Sequence, residues 1–208
     1  MLAPTSTGPT TTGPTSTTSP VPGPAATVNP VTAAELGATW RPGCPVSPER
    51  LRRVGLTFLG FDGRSHRGDL VVDEALVPEV IAIFEQLHRL RFPIEKMRTV
   101  DAYPGASDET SMRDNNTSAF NCRPLPGSDR WSLHALGRAI DLNPLLNPFV
   151  DRRGSIQPGT AGPYLDRTRT DQGLIHADDP VVRAFTDRGW RWGGYWRTPK
   201  DYQHFEKR

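Results

Sequence analysis

The chain of 208 residues lacks any apolar run approaching the ~20 residues that a membrane-spanning helix needs. No apolar core of a signal peptide is visible near Met1 either. Cysteine is scarce: Cys44 and Cys122 are the only two, with no CxxC pair and no adjacent histidine, which excludes a cysteine-rich metal site. Free buried thiols or a single disulfide remain open. A strong charge of either sign is also missing, with 25 Lys and Arg against 23 Asp and Glu. The Arg52–Arg53, Arg152–Arg153 and Lys207–Arg208 pairs are short and scattered, so no nucleic-acid interface is expected. Hydrophobic residues make up 36%, low for a globular chain.

That deficit sits at one end. Positions 4–24 hold only Pro, Thr, Ser and Gly apart from Val21. Such a stretch has no apolar surface to offset the entropy of ordering it, and its prolines keep it extended. The reading is a disordered spacer over 1–38 followed by one domain over 39–208. A spacer of this composition often follows a removed export signal or anchor, and it fits a secreted or cell-envelope protein. In that setting a Cys44–Cys122 disulfide is the favoured of the two cysteine readings.

Within the domain, Ser47-Pro48-Glu49 has the form of a short helix start. Val54–Leu59 reads as a strand, 60–68 as a loop and Asp69–Val72 as a second strand. Asp73 can cap the next helix. Ala75, Leu76, Val80, Ile83, Phe84, Leu87 and Leu90 recur at helical spacing, and Pro93 closes that helix. Lys96–Tyr103 reads as a strand, Gly105–Thr117 as a polar loop, Ser118–Arg123 as extended chain and Pro124–Gly127 as a turn. Ala139–Leu142 is a short strand, 143–179 is long and weakly periodic, Pro180–Arg188 is a helix and Gln203–Phe205 a last strand. Strands mixed with a few helices argue α+β.

Two segments carry candidate chemistry. In Ser132-Leu133-His134-Ala135-Leu136-Gly137-Arg138-Ala139-Ile140-Asp141, Gly137 permits a tight turn between a histidine and an aspartate. Strand alternation then puts Asp141 on the face of small Ala139, leaving space for an ion. Asp201-Tyr202-Gln203-His204 adds a second histidine and another acid. Two imidazoles and one carboxylate are what a catalytic zinc takes, with a fourth position left open, and the spare acid Asp201 can serve as base. His66, His88 and His176 have bland surroundings and are read as structural, although Asp178 and Asp179 lie close to His176 in sequence.

These residues resemble the signature of the M15 metallopeptidases, which include D-alanyl-D-alanine carboxypeptidases and dipeptidases and L-alanyl-D-glutamate endopeptidases. The match rests on Ser132-x-His134-x-x-Gly137-x-Ala139-x-Asp141 and on Asp201-Tyr202-Gln203-His204-Phe205-Glu206. Asn115–Arg123 and Gly189-Trp190-x-Trp192-Gly193-Gly194-x-Trp196 are also similar to the endopeptidase-like branch, as is the use of Asp rather than Glu at 201. The resemblance runs from about Cys44 to the end and implies a Hedgehog/DD-peptidase-like fold, a small antiparallel sheet flanked by helices. It implies one Zn2+ held by His134, Asp141 and His204, with Asp201 as catalytic base and Arg123 steadying the oxyanion. Ser132 would orient substrate or a ligand, with Trp192 and Trp196 as walls of the cleft or as core. The substrate implied is the peptide part of bacterial peptidoglycan, and the chain is expected to act as a monomer. A wall-binding module without catalysis and a phage endolysin of the same chemistry stay open at this point.

Overall fold

The computed structural model describes residues 25–125 and 128–208, so residues 1–24 of the spacer expected over 1–38 and the tip of the Pro124–Gly127 turn lie outside it. Eleven strands are present among these residues: β1 (Thr27–Pro30), β2 (Leu51–Leu59), β3 (Ser65–Asp73), β4 (Lys96–Met97), β5 (Asn116–Thr117), β6 (Ala139–Asp141), β7 (Phe149–Val150), β8 (Ile156–Gln157), β9 (Arg191–Trp192), β10 (Lys200–Asp201) and β11 (His204–Glu206). Four α-helices join them: α1 (Ala33–Leu36), α2 (Val77–Arg89), α3 (Asp108–Arg113) and α4 (Pro180–Thr186). The class is mixed helix and sheet. In place of one small sheet there are three antiparallel ones, β1-β2-β3, β10-β7-β8 and β6-β11-β9, plus a parallel β4-β5 pair.

The long hairpin of β2 and β3 sorts its side chains by alternation. Val54, Leu56, Phe58, Leu70 and Val72 face α2, meeting its Val80, Ile83, Phe84 and Leu87. Each of these burials stabilises by roughly 1.5–3 kcal/mol. Leu51 and Val71 point to the other face and pack with Val31, Leu36 and Phe120. Val31 and Leu36 belong to the segment expected as spacer, yet they pack into this layer. The physical reason is that Thr27–Pro30 pairs with Gly55–Arg52 along β2, and the Thr32 capping box starts α1. The disulfide Cys44–Cys122 fastens this layer to the chain just ahead of the second half.

Other boundaries also shift. β3 starts at Ser65, because the turn after Leu59 is closed by Asp62, whose carboxylate accepts from Arg64 N–H. Asp73 does cap the following turn, accepting from Ala75 N–H at 2.9 Å. The strand expected over 96–103 stops at Met97 and continues as 3-10 turns. The expected polar loop 105–117 contains α3, whose N-cap is Ser107. In the second half, Ile140, Phe205, Trp192 and Phe185 extend the core, with the Phe205 and Phe185 rings stacked 4.0 Å apart. That packing fixes the inner face of β6 and β11 and leaves their outer face for the candidate site.

Candidate metal centre

β6 and β11 run antiparallel with His204 opposite Asp141, Phe205 opposite Ile140 and Glu206 opposite Ala139. Alternation sends Phe205 and Ile140 into the core and turns His204, Asp141 and Glu206 outward together. His134 arrives from the 3-10 turn Leu133–Leu136. Ser132 starts that turn, its hydroxyl accepting from His134 N–H at 3.2 Å. Gly137 ends it with φ 67°, in the left-handed region. A side chain there would also collide, since a Cβ would fall 2.6 Å from Asp73 N. The turn is docked on the end of β3 by the Asp73 N–H to Gly137 O bond.

His134 Nε2 lies 3.1 Å from Asp141 Oδ2, and His204 Nδ1 lies 3.0 Å from Asp141 Oδ1. The two ring nitrogens are 3.1 Å apart. All three side chains are buried, and among the described residues they form the one group whose ligand atoms could close on a metal ion, within 4.8 Å of one another. The opposite nitrogen of each ring is also held. His134 Nδ1 is 2.5 Å from Ala119 O, and a carbonyl can only accept, so the proton belongs on Nδ1 and Nε2 keeps its lone pair. His204 Nε2 is 3.4 Å from Glu206 Oε2, which likewise leaves Nδ1 free to coordinate.

The electrostatics favour a cation. Burial opposes ionisation of Asp141, but the His134 and His204 rings outweigh it and hold its carboxyl far below the usual range. Burial likewise opposes charge on His204, yet Asp141, Glu206 and Asp201 push its pKa up to about 10. A metal ion between these side chains would meet the same negative field that a proton meets now. Burial pushes the Asp201 carboxyl up to about 7, against the pull of His204 and Arg123. Its Oδ1 has no hydrogen-bond partner among the described residues. Asp201 reaches the site from β10, which can pack close because residue 193 is glycine: a Cβ there would lie 2.6 Å from Asp201 O.

Around these groups opens a cleft of about 1140 Å³. Arg123, Ser132, Trp196 and Asp201 line it along with the three ligand candidates. Arg123 is fixed by an ion pair with Asp108 of α3 at 2.8 Å. Trp196 sets its ring 5.5 Å from that of His204. Trp192 does not line the cleft. Its ring stacks on Phe205 in the core and its Nε1–H donates to Tyr202 O at 2.8 Å, so the cleft-wall reading of Trp192 is corrected to core. Ser132 reaches the cleft mainly as the cap of the His134 turn. His66, His88 and His176 are engaged elsewhere, with Asp62, Ser65 and Asp179 respectively.

Two residues carry weight that the sequence reading did not give them. Glu206 stands two positions past His204, and the same alternation that placed Asp141 could have placed it. Asp108 had no comparable signal, since α3 itself was unexpected.

Residues 126–207 match the sequence model of a family described as D-alanyl-D-alanine carboxypeptidase. No curated protein and no solved structure matches the chain.

Proposed function

We propose that the chain, whose residues 126–207 match the D-alanyl-D-alanine carboxypeptidase family model, is a zinc-dependent hydrolase of the stem peptides of bacterial peptidoglycan, acting outside the cell or in the envelope. The observation that carries this is the buried cluster His134, Asp141 and His204 at the floor of an open cleft, with a second acid, Asp201, beside it. Two imidazoles and a carboxylate, each imidazole anchored on its far nitrogen, are the donor set that suits zinc. Zinc bound there would act as a Lewis acid on a peptide carbonyl and acidify water.

The chain's own residues account for the rest. Asp201, ionised, takes the proton from the attacking water and returns it to the leaving amine. Arg123, oriented by Asp108, offers its guanidinium to the carbonyl oxygen as charge builds there. Glu206 and Ala119 O hold the imidazoles in their coordinating tautomers. Trp196 closes the wall beside His204 and supplies an apolar surface for the peptide. The disulfide fits an oxidising compartment. A Hedgehog/DD-peptidase-like arrangement accords with the β6-β11-β9 sheet bearing Asp141 and His204.

Digestion of defined stem peptides, with products weighed by mass spectrometry, tests the reading and separates its two forms. Release of the terminal D-alanine marks a carboxypeptidase, and cleavage between L-alanine and D-glutamate marks an endopeptidase. Zinc-loaded protein that binds these peptides and cuts none would overturn the catalytic assignment.

A further inference from the structure

The cleft has a cationic rim that the catalytic reading leaves unused. Arg123 is committed to Asp108, and Arg191 and Arg208 both flank Glu206, at 3.7 and 3.4 Å. Three further arginines line the same cleft, Arg130, Arg152 and Arg153. All three are exposed, and among the described residues none has a guanidinium ion pair or hydrogen bond, although Arg153 is near enough to Asp151 to help hold its carboxyl below the usual range.

Two of them sit on a paired hairpin. Arg152 and Arg153 form the tip of the β7–β8 hairpin, in which Phe149 pairs with Gln157 and Val150 with Ile156. The nearest acid on the hairpin, Asp151, is occupied in shaping the turn, accepting from Arg153 N–H at 2.7 Å and Ser155 N–H at 2.8 Å. The other edge of β7 pairs with β10, placing Phe149 opposite Asp201 and Val150 opposite Lys200. Two residues of ladder therefore connect the arginine tip to the strand that bears the proposed base. The carboxylates of Asp141, Asp201 and Glu206 are turned to the floor of the cleft, where the cation site lies, whereas the rim offers exposed guanidinium groups to an anion. Arginine forks match a carboxylate geometrically and bind it with two parallel hydrogen bonds.

We propose that Arg130, Arg152 and Arg153 select anionic peptides, binding a free substrate carboxylate away from the scissile bond and setting the peptide's register against Asp201. This rests on the peptidase reading above and names the charge of the substrate that the site takes. A carboxylate at the peptide's C-terminus and one on a side chain offer the same chemistry, and the test separates them.

One peptide is prepared in three forms: unmodified, amidated at its side carboxylate, and amidated at its C-terminus. Hydrolysis by the zinc-loaded parent is compared with that by R152A/R153A and by R64A/R89A, which removes two exposed arginines outside the cleft. Amidation at the recognised carboxylate should raise KM about tenfold with kcat little changed, as for lost charge-assisted hydrogen bonds at an exposed site. R152A/R153A should bring the unmodified peptide to the level of the amide and leave the amide unaffected, while R64A/R89A changes neither. Calorimetric binding of the same peptides to zinc-loaded D201N, with and without R152A/R153A, is measured in parallel. Preference for the free acid that depends on Arg152 and Arg153, with no hydrolysis by the parent, would sink the peptidase reading and keep this one. Equal use of all three forms, or a preference that survives in R152A/R153A, would overturn the proposal.

Discussion

His204 and Asp141 are direct cross-strand partners, and the ring and the carboxylate meet at 3.0 Å over the outer face of their sheet. The next outward residue of the same strand, Glu206, holds the far nitrogen of that ring. Burial opposes ionisation of Glu206, but His204, Arg208 and Arg191 outweigh it and keep its carboxyl below the usual range. Glu206→Gln should therefore retain all three ligands and weaken zinc binding about 10–100-fold, as is typical when such an anchoring partner is lost. Competition with a chelating dye measures this. An unchanged dissociation constant would mean that Glu206 does not tune the site.

Asp201 links pH to both stability and activity. Burial lifts its carboxyl from 3.8 to about 7, so the folded chain holds this proton more tightly than the unfolded one. The stabilising form is the neutral one. Its contribution is full below 3.8 and is lost as pH rises through about 7. In chelator-treated protein, Asp201→Asn should be more stable than the parent at pH 8, by roughly 1–3 kcal/mol, with the gap closing toward pH 4. Thermal melts across that range read it, at about 2–4 °C per kcal/mol for a domain of this size. Activity is expected to run the other way, because Asp201 as the proposed base must be ionised. Hydrolysis by the zinc-loaded parent should fall with decreasing pH through a midpoint between 3.8 and about 7, a bound cation favouring the ionised carboxylate. A Tm gap of the same size at pH 4 and pH 8 would contradict the assignment.

Gly137 joins the His134 turn to the end of β3. Ala at this position meets both a positive φ and the Asp73 backbone. Gly137→Ala should cost about 2 kcal/mol or more, larger than for a glycine in open space such as Gly154, where the positive φ alone opposes the change. Chemical denaturation of the two variants gives the comparison, and equal losses would show that the close approach is unimportant.

Ser132 caps the turn that carries His134. Ser132→Ala should lower stability by about 0.5–2 kcal/mol through loss of the cap. The expected Tm shift accompanies little change in KM. A KM rise of tenfold with an unaltered melt would instead make Ser132 a substrate contact.

Much of the site could be read from the residues alone, for definable reasons. Alternation after Gly137 was sufficient to turn Asp141 outward, and the spacing of Val80, Ile83, Phe84 and Leu87 was sufficient to draw α2. What escaped depended on partners far away in the chain. β1 is exposed along its length and forms because β2 offers it an edge, so its own composition carries no strand pattern. Trp192 and Trp196 are four residues apart in one aromatic run, yet a 3-10 turn between them sends the first to the core and leaves the second in the cleft. The Arg123–Asp108 pair likewise depends on α3, which a polar segment forms once Ser107 caps it.

In the proposed site His134, Asp141 and His204 hold a zinc ion that Asp201 uses. Elemental analysis of the purified protein, its Asp201→Asn form and its His134→Ala form, each paired with stem-peptide hydrolysis before and after chelation, tests it most directly. The expected result is about one zinc per chain in the parent and in Asp201→Asn, hydrolysis by the parent only, loss of that activity on chelation with recovery on zinc, and neither metal nor activity in His134→Ala. Undiminished hydrolysis by His134→Ala, or by the fully chelated parent, would contradict it.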